Sequence, residues 1–299
     1  MAHITLPRLH VGDAWRAGAL TLFPLWSEAP SIHGLDLNAS TIDVGEREGA
    51  PVVSELVVRN RGTRTALLLE GEMLEGGWQH RVLNSDLLLE PGQAHVADVW
   101  CVEHGRWHGT GAHTRTTRMS SGSVRAALRR DHTERQETVW HRVAEFDIAL
   151  GASPTASLAD HLDRVAQSTA HNDDQHSFAA IPRRPLSGQR GVLIALGGEP
   201  AWLELMPSSG ALARRWRSLI DGALLDAALA PSRDTRSQSA RDFVAAAMNL
   251  RLTDTGGAGA GRAVAGVRRG LNARGLTHTN GTLLHSLMFN SEHRSLALV

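Results

Sequence analysis

The chain has 299 residues, 42% of them hydrophobic, with 31 Lys and Arg residues against 31 Asp and Glu residues, a formal net charge of +0 and a pI near 7.3. That length and apolar content support a buried core, and the balanced charge provides no global field to draw in nucleic acid or an anionic membrane. There is no lysine and no tyrosine, so every basic side chain apart from histidine is Arg, which excludes a Schiff-base lysine, a Walker lysine and a tyrosine acid or nucleophile.

The amino terminus, MAHITLPRLHVGDAWRAG, has no apolar run behind a basic start, and no stretch approaches the roughly 20 apolar residues that span a bilayer. A single cysteine, Cys101, excludes an internal disulfide and fits a reducing compartment. A soluble, cytoplasmic protein is expected. Strands are predicted at LTLFPLW (20–26), VVSELVVRN (52–60), ALLLEGEML (66–74), VLNSDLLLE (82–90) and HVADVWCVE (95–103), separated by Arg61-Gly62, Gly76-Gly77 and Pro91-Gly92. Residues 52–74 read as a hairpin bent at Asn60, Arg61 and Gly62. Residues 104–130 carry six Arg, three His and no acid. They read as a solvated loop leading into a helix, or else as an anion-binding flap.

A helical pattern follows over about 124–150, with Val139, Val143, Phe146 and Leu150 at three- and four-residue steps. Ser153-Pro154 suits the start of a second helix bearing Leu158, Leu162 and Val165. Residues 170–190 turn polar and read as an exposed loop. GVLIALGGEPAWLELM (191–206) predicts a hairpin around Gly197-Gly198, Ser209 starts a helix with Leu212, Trp216 and Leu219, and another helix lies near 238–250. Asn280-Gly281 signals a closing hairpin. The fold expected is α+β, with a β-rich sandwich-like core and inserted helices. It forms one domain over 1–299: a β-rich part over 18–110, a helical insertion over 120–170 and a mixed part over 190–290 that completes the core.

Gly256, Gly257, Gly259 and Gly261 lack the dinucleotide-binding spacing and follow a helical pattern, so they read as a flexible turn. Cys101, His104, His108 and His113 match no closed zinc site. No H-E-x-x-H and no G-x-S-x-G occurs. No metal is expected, and no cofactor is indicated. The chemistry concentrates in EGEMLEGGWQHRVLNS and CVEHGRW, between Glu70 and Trp107. Glu70 and Glu72 would share one strand face, with Glu75 at the turn. Glu72 and Glu103 are the candidate general acids and bases, and Cys101 the candidate nucleophile if Arg106 or His104 activates it. Gln79, Arg81, Asn84, Arg106 and Trp107 are the candidate ligand-binding residues, with Trp78 a second stacking aromatic. The same set can instead form an internal hydrogen-bond and ion-pair network in a non-catalytic module that binds a protein partner.

Those two segments resemble a bacterial family, the ADP-ribosylglycohydrolase and rhodanese-phosphatase-superfamily-associated protein domain. The likeness rests on Gly71-Glu72, Gly76, Gln79, Arg81, Leu83-Asn84-Ser85, Cys101-Val102-Glu103 and Gly105-Arg106-Trp107. His80 stands where Asn is usual, and Trp78 where Lys or another polar residue is common. Weaker likeness extends over about 18–290. The resemblance implies a role in ADP-ribose, NAD-derived or related nucleotide metabolism, with hydrolysis of a glycosidic or phosphoester bond as the reaction class. Arg81 and Arg106 would then meet a diphosphate, Glu72 and Glu103 a ribose hydroxyl or a proton in transfer, and Trp107 a stacked base.

Overall fold

The computed structural model describes residues 3–47, 49, 52–106, 108–130, 132–171 and 181–296. In chain order it forms β1 (Leu9–Val11), β2 (Trp15–Ala17), β3 (Leu20–Ser27), β4 (Ile42–Gly45), β5 (Glu55–Asn60), β6 (Ala66–Leu68), β7 (Glu72–Gly76), β8 (Arg81–Leu83), β9 (Leu87–Leu89), β10 (Ala94–Cys101) and β11 (Ala112–Met119). Three helices follow, α1 (Gly122–Ala127), α2 (His132–Leu150) and α3 (Leu158–His171). The hairpin β12 (Gly191–Leu196) and β13 (Glu199–Leu205) precedes α4 (Ser209–Ala228) and α5 (Ser237–Met248). The last strands are β14 (Thr253–Ala258), β15 (Gly261–Arg268), β16 (Leu271–Thr277) and β17 (Leu283–Asn290).

The class is α+β around a β-rich core, and the strands fall into two main bodies. One is a nine-stranded antiparallel sheet in the order β1-β3-β12-β13-β17-β16-β15-β14, with β2 also on β3. The other is a closed antiparallel barrel, β10-β5-β4-β11-β7-β8. The carboxy-terminal strands join β3 in the large sheet, while six strands between residues 42 and 119 close the barrel and β6 and β9 pair apart as a two-stranded sheet. Helix α5 covers one face of the sheet through Val244 and Ala247 over Phe23, Leu193 and Leu203. The other face, with Leu22, Ile194, Trp202 and Leu287, merges with the barrel and α4 in one continuous core.

Period-two burial explains the barrel. Directly paired residues of antiparallel strands point to the same side. Val44 pairs with His113 and with Val58, Leu56 with Ala97, Val99 with Leu83, Cys101 with Arg81 and Arg81 with Leu74. All of these pairs bar none lie on the buried, inward side. Polar residues therefore occupy inward positions beside Val and Leu, because β7, β8 and β11 each carry a charged residue in register with an apolar one.

The local signals were partly overruled by pairing. The expected 52–74 hairpin does not form: β5 pairs with β4 and β10, and β6 pairs with β9. Asn60 instead ties the divergence, its side-chain amide donating to the Arg64 and Leu89 carbonyls at 2.9 Å. The run 66–74 is split at Gly71, whose φ of +88° only glycine adopts easily. A Cβ there would also lie 2.7 Å from the Arg125 side chain. The run 82–90 is split likewise by the Asn84-Ser85 turn. The helix expected over 124–150 is two helices, with Ser121 capping the first by accepting the Val124 N–H at 3.2 Å. Gly256 and Gly257 lie in β14 and Gly261 opens β15. Only Gly259 occupies the turn, where the chain comes so close to the Leu88 carbonyl that a Cβ would sit 2.1 Å from it. Residues 172–180 of the predicted polar loop lie outside the described residues.

Candidate functional site

Residues 70–86 form the seam between barrel and sheet, and buried ion pairs bind that seam. Glu72, at the start of β7, has no solvent exposure. Arg115 of β11 donates to it in a fork at 2.7 and 2.9 Å, and Arg215 of α4 adds a third bond at 2.6 Å. Burial would raise the Glu72 pKa, yet the two guanidiniums hold it below the ordinary carboxylate value. Glu70 receives Arg129 at 3.2 Å and lies 3.8 Å from Arg274 of β16. Gly71 turns the chain between them, so Glu70 and Glu72 serve different partners and do not form the shared-face carboxylate pair expected. Deeper in the sheet, Glu204 takes a bidentate fork from Arg125 at 2.8 and 3.0 Å. His285 bridges Glu204 at 3.1 Å and Asp86 at 2.7 Å. Burial opposes the imidazolium, but these two carboxylates push its pKa up to about 10. Burial likewise works against ionised Glu204, while Arg125 and His285 bring it down to about 2.

The stretch 104–130 opens as the expected exposed loop, at residues 104–105 and 108–111, and reaches a helix at Gly122, but between them runs β11, and most of the stretch's arginines are not open to solvent. Arg115, Arg125 and Arg129 are buried ligands of Glu72, Glu204 and Glu70, and Arg118 bonds Glu75 and Asp163.

The candidates in 70–107 are drawn into distinct groups. Glu103 sits just after β10 and accepts the His80 N–H at 3.0 Å, the Thr155 hydroxyl at 2.8 Å and three contacts from Arg106 at 2.7 to 3.0 Å. Arg106 spends its remaining donors on the carbonyls of Gly76, Gly77 and His108. This pair braces the 76–80 turn, and burial, which would raise the Glu103 pKa, is outweighed by these donors. Cys101 is fully buried, and Gln136 of α2 clamps its backbone through bonds of 3.0 and 2.8 Å. Burial pushes its thiol up to about 11, a setting that suppresses the thiolate. Asn84 lies apart, bonded to Asp98 at 2.6 Å. Trp107 lies outside the described residues. Trp78 is not in the core, being 44% exposed.

Gln79 and Arg81 form a different kind of group. Arg81 is 3% exposed and in register with Cys101. Its Nε donates to the Val53 carbonyl at 3.2 Å, and Nη1 donates to the Gln79 carbonyl and side-chain oxygen at 3.1 and 3.2 Å. Among the described residues no carboxylate pairs with it, and Nη2 makes no hydrogen bond. Gln79 is fully buried, and its Nε2 has no partner among the described residues. Exposed Val53 and Trp78 flank this end of the barrel. A buried amide donor without an acceptor is costly, and the guanidinium beside it is paired with no carboxylate among the described residues, so an anion would serve both.

Sequence reasoning missed Asp86, Glu204, Arg215, Arg274 and His285. A signal existed for two of them, since Glu204 in AWLELM and His285 in LLHSLMF are lone polar residues inside apolar strands.

A family model described as the ARG and Rhodanese-Phosphatase-superfamily-associated Protein domain matches residues 8–289. No curated protein matches the chain, and neither does any solved structure.

Proposed function

The chain belongs to the ARG and Rhodanese-Phosphatase-superfamily-associated Protein domain family, and from that premise we propose that it binds an anionic, nucleotide-like small molecule at the Gln79–Arg81 end of the barrel. The observation that carries this reading is the Arg81 guanidinium, paired with no carboxylate among the described residues and adjacent to the unpartnered Nε2 of Gln79. A phosphate oxygen accepts from both, as planar guanidinium recognition favours. Exposed Trp78, next to Gln79 in the chain, offers a face for a base. We read ARG as ADP-ribosylglycohydrolase and the family as bacterial, which makes ADP-ribose or an NAD-derived nucleotide the ligand class.

Binding is the activity proposed. Glu72 and Glu103, the carboxylates that hydrolysis would call on, have their oxygens occupied by Arg115, Arg215 and Arg106. A second reading is favoured by that same saturation: the seam network is a structural lock in a non-catalytic module that docks a protein partner. A thermal-shift screen against ADP-ribose, NAD, AMP and inorganic phosphate separates the two. Ligand at 100 times its dissociation constant stabilises by about 2.7 kcal/mol. A shift that Arg81→Ala abolishes supports the binding site, and no shift with any of these compounds favours the module.

A further inference from the structure

A second concave site lies on the seam, away from Arg81. A cavity of about 370 Å³ opens between the 84–86 turn and strands β14 to β16, and Glu70, Asn84, Ser85, Asp86, Thr255 and Arg274 supply its polar wall. We propose that it binds the vicinal hydroxyls of a neutral polyhydroxylated ligand, of the size of one sugar ring.

The polar atoms left over determine the chemistry. Glu70 Oε1 is taken by Arg129 at 3.2 Å, but Oε2 has only a long contact with Arg129 at 3.5 Å and one with Arg274 at 3.8 Å, so it keeps acceptor capacity. Asn84 gives its amide N–H to Asp98, and its side-chain Oδ1 is buried without a partner. Arg274 Nη1 reaches the Asn84 carbonyl at 3.4 Å, while its Nε and Nη2 donate to no described residue. The Ser85 and Thr255 hydroxyls likewise make no hydrogen bond to described residues. Donors and acceptors are therefore interleaved on one wall. A hydroxyl both donates and accepts, and two adjacent hydroxyls satisfy such a wall where a pure acceptor or a pure donor leaves half of it unpaired.

Charge excludes the alternatives. A phosphate would face the carboxylates of Glu70 and Asp86. A metal ion would face the Arg274 guanidinium, with one Glu70 oxygen held by Arg129 and one Asp86 oxygen held by His285. Asp86 is fully engaged, by the Glu70 N–H and His285 at 2.7 Å each, and so forms a fixed back wall. Pockets for small molecules span about 300–1,000 Å³, and this one falls at the small end of that range, too small for a dinucleotide.

The site is independent of the barrel-end reading, and its test keeps the two apart. D-ribose and 2-deoxy-D-ribose are titrated calorimetrically into the full chain, into Arg274→Ala, into Thr255→Val and into Arg81→Ala. Saturable ribose binding is expected, weakened at least tenfold by loss of the 2-hydroxyl and by either Arg274→Ala or Thr255→Val, and unchanged in Arg81→Ala. Thr255 is exposed, so its variant reports on the site without disturbing the core. No saturable binding of ribose overturns the inference, as does an affinity equal to the parent's in both seam variants or a loss confined to Arg81→Ala.

Discussion

Glu72→Gln should destabilise the fold heavily, for reasons set by three distances. The carboxylate takes bonds of 2.7 and 2.9 Å from Arg115 and 2.6 Å from Arg215, and all three side chains are buried. Arg215 already leaves Nε and Nη1 without partners, so no alternative acceptor waits for the charge that Gln cannot neutralise. Removing one partner from a buried ion pair costs about 3–5 kcal/mol. With an unfolding entropy of about 2.1 cal/mol/K per residue, a chain of this length should melt about 5–8 °C lower. Urea unfolding followed by tryptophan fluorescence should show a lower midpoint with an unchanged slope. A pH series adds a check on sign. The Glu72 pKa is lowered in the folded state, so its contribution is present above the unfolded value near 4.5 and is lost as pH falls through the folded value. In Glu72→Gln that part of the acid sensitivity should disappear. An unfolding free energy within about 1 kcal/mol of the parent's would refute the assignment of Glu72 to structure.

Three further outcomes follow from the same geometry. His285 has a folded pKa of about 10 against 6.5 unfolded, so its stabilisation is complete below pH 6.5 and is lost as pH rises toward 10. His285→Asn should flatten the fall in urea midpoint between pH 7 and 10, and parallel curves for parent and variant would contradict this. Cys101, with its thiol near 11 and no exposure, should resist iodoacetamide at pH 8 in the native chain and react once the chain is unfolded. Stoichiometric labelling of native protein would reverse that conclusion. Gly71→Ala combines a positive φ with a Cβ 2.7 Å from Arg125, and should cost more than about 2 kcal/mol; a neutral result in the same unfolding assay would show that the turn is not constrained as described.

Apolar runs, glycines and caps were legible wherever local chemistry decides the outcome. The 191–206 hairpin, the turn at Asn280-Gly281 and the helix carrying Trp216 follow from such signals. Strand partnership was not legible, because ALLL and VVSELVV carry no mark of which neighbour will pair with them. The arginines of 104–130 misled for a related reason: their counterions lie 43, 59 and 79 residues away for Arg115, Arg129 and Arg125. A charge run with distant partners is indistinguishable in sequence from one that faces water. The candidate residues 79, 81, 101, 103 and 106 are drawn into separate groups, and among the described residues Arg106 spends its donors on Glu103 and backbone carbonyls while Gln79 Nε2 is left without a partner. Which polar residue is saturated depends on atoms supplied by loops and helices far along the chain, and spacing does not encode it.

The central claim, that buried Arg81 waits for an anionic ligand, is reached most directly by calorimetric titration of ADP-ribose into the parent chain and into Arg81→Ala. A charge-assisted hydrogen bond contributes about 1.5–3 kcal/mol, so saturable binding in the parent should weaken by roughly tenfold to a hundredfold in the variant. Binding of equal affinity in the two proteins, or no saturable binding in the parent, would contradict it.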